Sequence, residues 1–347
     1  MKKNIRIYSL LIALLVISLC LLGCGATPFD RHTELQTMVV VNGKLFSDSR
    51  ANGKEENGIP LPIELDVKRR KSGYSIVIAK KDGEVQLEEK LTGQEKFLYY
   101  NSELGREYVW YLVDESGEKI GGEKRFLTSD IAPRNLYVDG VTNCRDLGGW
   151  KTTDGKRIKQ GMIYRTSRFN ENDSDAKVVT EAGIKTLTEE LKIKTELDLR
   201  NTEKGETGGI TASPLGDGVN YVSVPMRSGG DYLLLNTEVL ADVFVVFADK
   251  ENYPIAFHCS IGTDRTGVIA FLINAMLGVE EKSLYVDYLF SRLGSIGVTR
   301  SFTTIDKYLK EIKNAGGNTI AENAYNYLVQ NGVPAETLDL MRQMLVE

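Results

Sequence analysis

The run Pro254-Ile255-Ala256-Phe257 is apolar and ends in His258-Cys259, and a second, longer apolar run extends from Val268 to Leu277. Between them lie Ser260, Ile261, Gly262, Thr263, Asp264, Arg265, Thr266 and Gly267. The pattern predicts a buried strand, a tight loop and a buried helix, with the loop at the helix amino end. A helix start offers unpaired backbone N–H groups and a positive dipole end, which suits an anion. The same field lowers the pKa of a thiol placed there and favours the nucleophilic thiolate. Gly262 and Gly267 let the backbone curl so that the N–H groups of residues 260–263 turn inward as a nest. Arg265 adds a planar, two-pronged donor matched to phosphate oxygens. The plain alternative is a buried structural cysteine beside a helix-capping aspartate.

This segment is similar to the signature loop of the cysteine-dependent tyrosine phosphatases, His-Cys-x5-Arg-Thr/Ser. The closer resemblance is to a bacterial branch of atypical tyrosine or lipid phosphatases, whose loop usually runs His-Cys-x-x-Gly-Lys-Asp-Arg-Thr-Gly. Thr263 stands where that branch usually has Lys. Two other stretches look like hallmarks of the same branch: Asn143-x-Arg145-Asp146-Leu147-Gly148-Gly149, continued by Asp154-Gly155-Lys156 and Gly161 to Thr166, and Asp198-Leu199-Arg200. Read without the resemblance, Gly148-Gly149 and Asp154-Gly155 are turn signals.

The resemblance implies phosphomonoester hydrolysis through a phosphocysteine. Cys259 would attack phosphorus, with Ser260, Ile261, Gly262, Thr263 and Arg265 binding the phosphate oxygens. Thr266 would assist the sulfur as leaving group, and His258 would hold the loop and thiolate. A general acid is needed for the leaving oxygen. It cannot sit on a Trp-Pro-Asp loop, since Trp110 precedes Tyr111 and Trp150 precedes Lys151. Asp198 and Asp264 both remain candidates; the plain alternatives are an Arg-paired structural residue and a helix cap. Arg145 and Arg165 are further candidates to line a phosphate site. The implied substrate is a phosphotyrosine protein, as for a dual-specificity enzyme. A phosphoinositide or inositol polyphosphate is the alternative, weakened by the missing loop Lys because several phosphates call for extra cations. A catalytically inactive surface binding lipoprotein is the alternative from another class. No cofactor is implied. With His32 and His258 the only histidines, a His-rich metal site is excluded.

At 347 residues the chain has room for two domains. A net charge of −5, with no zinc-finger spacing, gives no support for nucleic-acid binding. Lys2, Lys3 and Arg6 precede an almost wholly apolar run from Leu10 to Leu22, the shape of a secretory signal. It ends in Leu21-Leu22-Gly23-Cys24, which resembles a bacterial lipobox, so Cys24 would carry lipid and hold the protein outside the cytoplasmic membrane. An uncleaved membrane anchor is the alternative. Residues 1–23 are thus expected to be signal and 24–33 tether, with His32 a solvated residue. With Cys20 removed and Cys24 lipidated, Cys144 and Cys259 remain, too few for a disulfide framework. A low-pKa Cys259 could also oxidise, with Cys144 as resolving partner.

Residues 34–130 show short alternating runs with turn signals, and predict an all-β sandwich resembling a fibronectin III or immunoglobulin-like module. Trp110 is read as core filling. From 131 to 347 strands and helices alternate, which predicts an α/β domain with a mostly parallel central sheet flanked by helices. Within it a helix is expected over 174–191, strands over 194–200 and 221–225, and a helix over 233–247. Residues 203–218, rich in Gly and Thr, are expected to form a mobile surface loop.

Overall fold

The computed structural model describes residues 60–347 except 61, 68–72, 171–177, 204 and 292–299, together with the pairs 40–41 and 44–45. The expected signal segment, Cys24, the tether and His32 lie outside these residues. Val40–Val41 (β1) and Lys44–Leu45 (β2) form a short antiparallel pair.

Ile63–Asp66 (β3) pairs with Lys96–Tyr99 (β6), and a four-stranded antiparallel sheet has the order β5-β4-β7-β8. Its members are Ser75–Lys80 (β4), Val85–Lys90 (β5), Glu107–Val113 (β7) and Lys119–Leu127 (β8). Alternation decides which residues face inward: in β7 the buried positions include Tyr108, Trp110 and Leu112, with less buried residues between them. They join Leu65, Ile76, Ile78, Phe97 and Tyr99 in one core that both sheets share. Trp110 fills that core.

The second half holds a five-stranded sheet of order β12-β11-β13-β10-β9. These strands are Arg145–Asp146 (β9), Ile163–Thr166 (β10), Thr195–Asp198 (β11), Asn220–Ser223 (β12) and Ile255–His258 (β13). All neighbours are parallel except β9 with β10. β13 lies at the centre and is buried along its whole length, which is why its sequence is continuously apolar before His258. The helix that follows, Arg265–Met276 (α3 in the numbering below), is buried at all 12 positions. A helix apolar on every side belongs in a core.

The other helices are Glu181–Lys185 (α1), Leu240–Ala248 (α2), Glu281–Phe290 (α4), Phe302–Lys313 (α5), Ile320–Gln330 (α6) and Ala335–Leu345 (α7). α5 buries Phe302, Ile305, Tyr308 and Ile312 along one stripe, the spacing of a helix packed on one side. Three expected elements differ in detail. Of the helix expected over 174–191, residues 174–177 lie outside the described residues and 178–180 are not helical; the helix starts at Glu181, where the Thr180 hydroxyl caps it by accepting from Gly183 N, and it runs on into a π-helical turn, Thr186–Glu190. The expected helix over 233–247 is a 3₁₀ turn, Leu234–Val239, kinked at Asn236 before α2 begins. The kink is held by the Asn236 side chain, which accepts from Arg227 N and donates to Tyr232 O. The strand expected to reach residue 200 stops at Asp198, whose carboxylate turns the chain by accepting from Arg200 N at 2.9 Å.

Polar contacts join the two halves. Arg134 donates to Asn101 O and Ser102 O and is ion-paired with buried Asp146 at 2.8 Å. Leu104 N donates to Gln160 Oε1, and the amide of Asn101 bridges Tyr137 and Glu190. Burial pushes the Glu190 carboxyl up from 4.5 to about 7 against the opposing effects of Asn101 and Arg134. The folded state then keeps a proton that the unfolded chain has already released. Stability is therefore highest below the unfolded value and falls as pH rises towards 7. Urea denaturation between about pH 5 and 8 should show this decline, and Glu190→Gln should flatten it; an equal slope in the variant would contradict the assignment.

Candidate active site

β13 delivers His258 and Cys259 to the carboxyl edge of the parallel sheet, and the loop 259–264 turns back into the start of α3. In open α/β sheets this edge is where ligands bind. Gly262 has φ +70, and a Cβ there would lie 2.3 Å from Thr166 O. Only glycine lets the loop pass so close to the end of β10. Asp264 precedes the helix without making a side-chain cap bond, so it is not the capping residue of the plain alternative.

The Cys259 sulfur is buried. Burial by itself raises a thiol, but Arg265, followed by the hydroxyl and N–H of Thr266, outweighs it and holds Cys259 below the ordinary value of 9.0. The buried Thr266 hydroxyl forms no other hydrogen bond. Cys144 behaves oppositely: burial pushes its thiol up to about 12. It sits in a separate core cluster with Leu136 and Tyr164 and remains a free thiol. Burial outweighs Thr166 and Arg145, which act the other way, so the setting disfavours the thiolate a resolving partner needs.

Arg265 is aimed by Glu206, whose carboxylate lies 2.5 Å from Nη1, while Nη2 reaches the Ser260 hydroxyl at 3.4 Å. Glu206 belongs to the loop expected to be mobile. That loop is tied down: besides the Glu206 bond, Ser213 donates to Glu196 at 2.5 Å and Leu215 enters the core. Sequence reading missed Glu206, because an acid in a Gly- and Thr-rich stretch gives no sign of its partner.

The imidazole of His258 lies 2.9 Å from Glu196 Oε1 through Nε2 and 3.0 Å from Cys259 O through Nδ1. Burial lowers an imidazolium, but Asp198 and Glu196 outweigh it, so the His258 pKa is raised. The raised pKa favours the ring as a donor, Nδ1 towards Cys259 O and Nε2 towards Glu196, which braces the cysteine backbone. Glu196, Asp198 and His258 bring one potential ligand atom each within 4.8 Å of one another. As a cation site the group is already served, since Arg200 forms a two-pronged pair with Asp198 and His258 supplies a second charge.

Asp198 therefore lies in an ion network. It accepts from Arg200 at 2.6 Å and from the Tyr221 hydroxyl at 3.0 Å. Burial raises it, but His258 and Arg200 outweigh that and hold it below the usual carboxylate value. Asp264 is partly exposed, with one oxygen 2.9 Å from Arg300, and borders a cavity of about 210 Å³.

Thr263 is buried and turned into the protein, accepting from the Asn143 amide at 3.3 Å. The same amide donates to Ile261 O at 3.0 Å. Asn143 is in turn fixed by Arg145, and Arg145 by Asp287 at 2.9 Å. Arg165 meets the other oxygen of Asp287 at 2.5 Å and donates to Gly262 O at 2.9 Å. Arg145 and Arg165 thus do not line the phosphate site; both are fully buried under the loop and hold it up. Burial raises the Asp287 carboxyl, but Arg165 and Arg145 outweigh it and keep its pKa depressed. The available signal was Asp287 itself, a lone acid in the apolar run Leu284 to Phe290.

Comparison with known proteins accords with this geometry. Residues 136–347 match the model of the tyrosine phosphatase family. The chain belongs to that family. A candidate tyrosine-protein phosphatase of Cupriavidus necator is 29% identical over 182 residues, which is 45% of this chain; the chain spans 63% of that relative's length. Among solved structures, the core catalytic domain of the PP-IP phosphatase Siw14 of S. cerevisiae, in complex with citrate, is 20% identical. It covers 44% of this chain and 86% of its own, with a TM-score of 0.29. TpbA of P. aeruginosa in complex with pTyr is 16% identical and covers 54% of this chain and 90% of its own, with a TM-score of 0.28.

The loop chemistry can be titrated directly. Alkylation of Cys259 by iodoacetamide, followed by mass spectrometry, should show a midpoint below that of an ordinary thiol, and Arg265→Ala should move it up. An unshifted midpoint in the variant would show that Arg265 does not set the thiol.

Proposed function

We propose that this chain is a cysteine-dependent phosphomonoester hydrolase that acts on phosphotyrosine protein through a phosphocysteine. The observation that carries the reading is the depressed Cys259 thiol beside Arg265 at the start of α3. The thiolate attacks phosphorus in line, so that the S–P bond forms as the bond to the leaving oxygen breaks. Arg265 and the loop N–H groups of residues 260–263 hold the three equatorial oxygens. Asp264 protonates the leaving oxygen; Asp198, held ionised by Arg200 and His258, has no proton to give at neutral pH. Water then attacks phosphorus, Asp264 takes its proton, and phosphate leaves as the Cys259 thiolate is restored with the Thr266 hydroxyl beside it. The inward-turned Thr263 leaves the loop without the extra cation that a polyphosphate would need, which supports the phosphotyrosine reading.

The same reading takes residues 34–130 as a fibronectin III or immunoglobulin-like spacer and 131–347 as the catalytic domain. It places the protein outside the cytoplasmic membrane, anchored through lipid on Cys24.

Wild-type protein should hydrolyse para-nitrophenyl phosphate, and Cys259→Ser should fall to background. With phenyl phosphate, whose leaving group needs a proton, Asp264→Asn should be slower by about 100-fold and lose the basic limb of its pH–rate profile. Loss of that limb in Asp198→Asn instead would overturn the choice of acid, and a wild type without activity would favour a binding module. Metabolic labelling with palmitate should be lost in Cys24→Ala; retained label would refute the anchor.

A further inference from the structure

The cavity beside Asp264 is used by none of the steps above. It is an open cleft lined by Asp264, Tyr232, Asp231, Tyr288 and Tyr308, with Lys307 of α5; Asp231 and Lys307 are exposed at its mouth. Two of these residues tie it to the reaction loop. Asp264 immediately precedes Arg265. The Tyr232 hydroxyl, raised chiefly by burial, also feels the charges of Asp264, Arg265 and Cys259. The Tyr288 ring comes within 3.1 Å of where a Cβ on Gly267 would stand, so the cavity wall packs on the first turn of α3. Tyr288 and Tyr308 meet edge to face at 6.5 Å, and Tyr308 rests on Phe271 at 5.3 Å. A group bound in the loop is therefore next to this space.

The charges inside it differ in how far they are already used. Asp264 carries Arg300. Asp231 is engaged by the backbone, accepting from Leu233 N at 3.1 Å and Leu234 N at 3.3 Å. Lys307 has no ion-pair partner among the described residues. The loop itself has no lysine, because position 263 is a buried threonine. Helix α5 thus supplies a cation that the loop lacks.

We propose that this cavity reads the residue next to phosphotyrosine, with Lys307 as the specificity-determining residue for an acidic side chain. The proposal rests on the phosphotyrosine reading above. With Asp264 matched by Arg300 and Asp231 held by backbone N–H groups, Lys307 is the lining cation without an ion-pair partner among the described residues, which suits a single carboxylate; a polyphosphate would need several cations. The aromatic walls accept the methylene stem of the same side chain.

The test uses two phosphotyrosine peptides that differ only in Glu or Gln next to the phosphotyrosine, with the full chain and para-nitrophenyl phosphate as control. Wild type should favour the Glu peptide in kcat/KM by about threefold, the size expected of one partly exposed ion pair. Lys307→Arg should keep the preference, and Lys307→Glu should reverse it towards a peptide with Lys at that position. A merely structural role for Lys307 would not reverse a charge preference. Equal rates for the two peptides, or a preference that survives Lys307→Glu, would overturn the proposal. So would inositol hexakisphosphate turning over faster than either peptide. If the control itself is not hydrolysed, it is the underlying hydrolase reading that has failed.

Discussion

The loop that carries Cys259 rests on one buried carboxylate. Asp287 takes Arg145 on one oxygen and Arg165 on the other, and each arginine passes the constraint upward. Arg165 holds Gly262 O, while Arg145 holds the Asn143 side chain that binds Ile261 O and Thr263. A buried ion cluster is weak grounds for stability, because desolvation offsets most of the attraction. Its contribution here is geometric. It fixes the Ile261 and Gly262 carbonyl oxygens against buried side chains, an arrangement compatible with loop N–H groups that turn the other way.

A second pair of constraints sets the charge around the sulfur. On one side Glu206 aims Arg265; on the other Glu196 and Asp198 hold the His258 imidazolium against the Cys259 carbonyl. Arg265 and His258 thus each have a carboxylate partner of their own. Arg265 still depresses the thiol, and the carboxylates raise the His258 pKa and so favour the ring as a donor. The same arrangement separates the two candidate acids: His258 and Arg200 outweigh burial and keep Asp198 ionised, while Asp264 stands partly exposed at the loop edge beside Arg300.

Much of this was legible in the residues. The strand, loop and helix around Cys259 follow from two apolar runs, and α3 is buried on all sides as its composition requires. Trp110 and the alternating strands of the first half likewise pack as their period demands. Local hydrogen bonding that no period records decided the rest. Asn236 breaks an apolar run into two helical pieces, and the Asp198 carboxylate ends a strand two residues early. The Gly- and Thr-rich stretch 203–218 looked free because its anchors, Glu206 and Ser213, find partners far away in sequence. Arg145 and Arg165 belonged to motifs that pointed to the site but not to which side of the loop they serve.

The sequence by itself determined which groups stand together in one loop: a thiol six positions before an arginine at a helix start, with Thr266 and Asp264 beside them. Spacing within one loop is enough for that, since neighbours along the chain stay neighbours in space. Only the tertiary structure decided that Asp198 is buried in an ion network while Asp264 is partly exposed beside Arg300, and which arginine faces the thiol and which lie beneath the loop. It also turned Thr263 inward and brought Lys307 round on α5. Those are properties of long-range packing, where burial and the charge of a distant residue set each group's state.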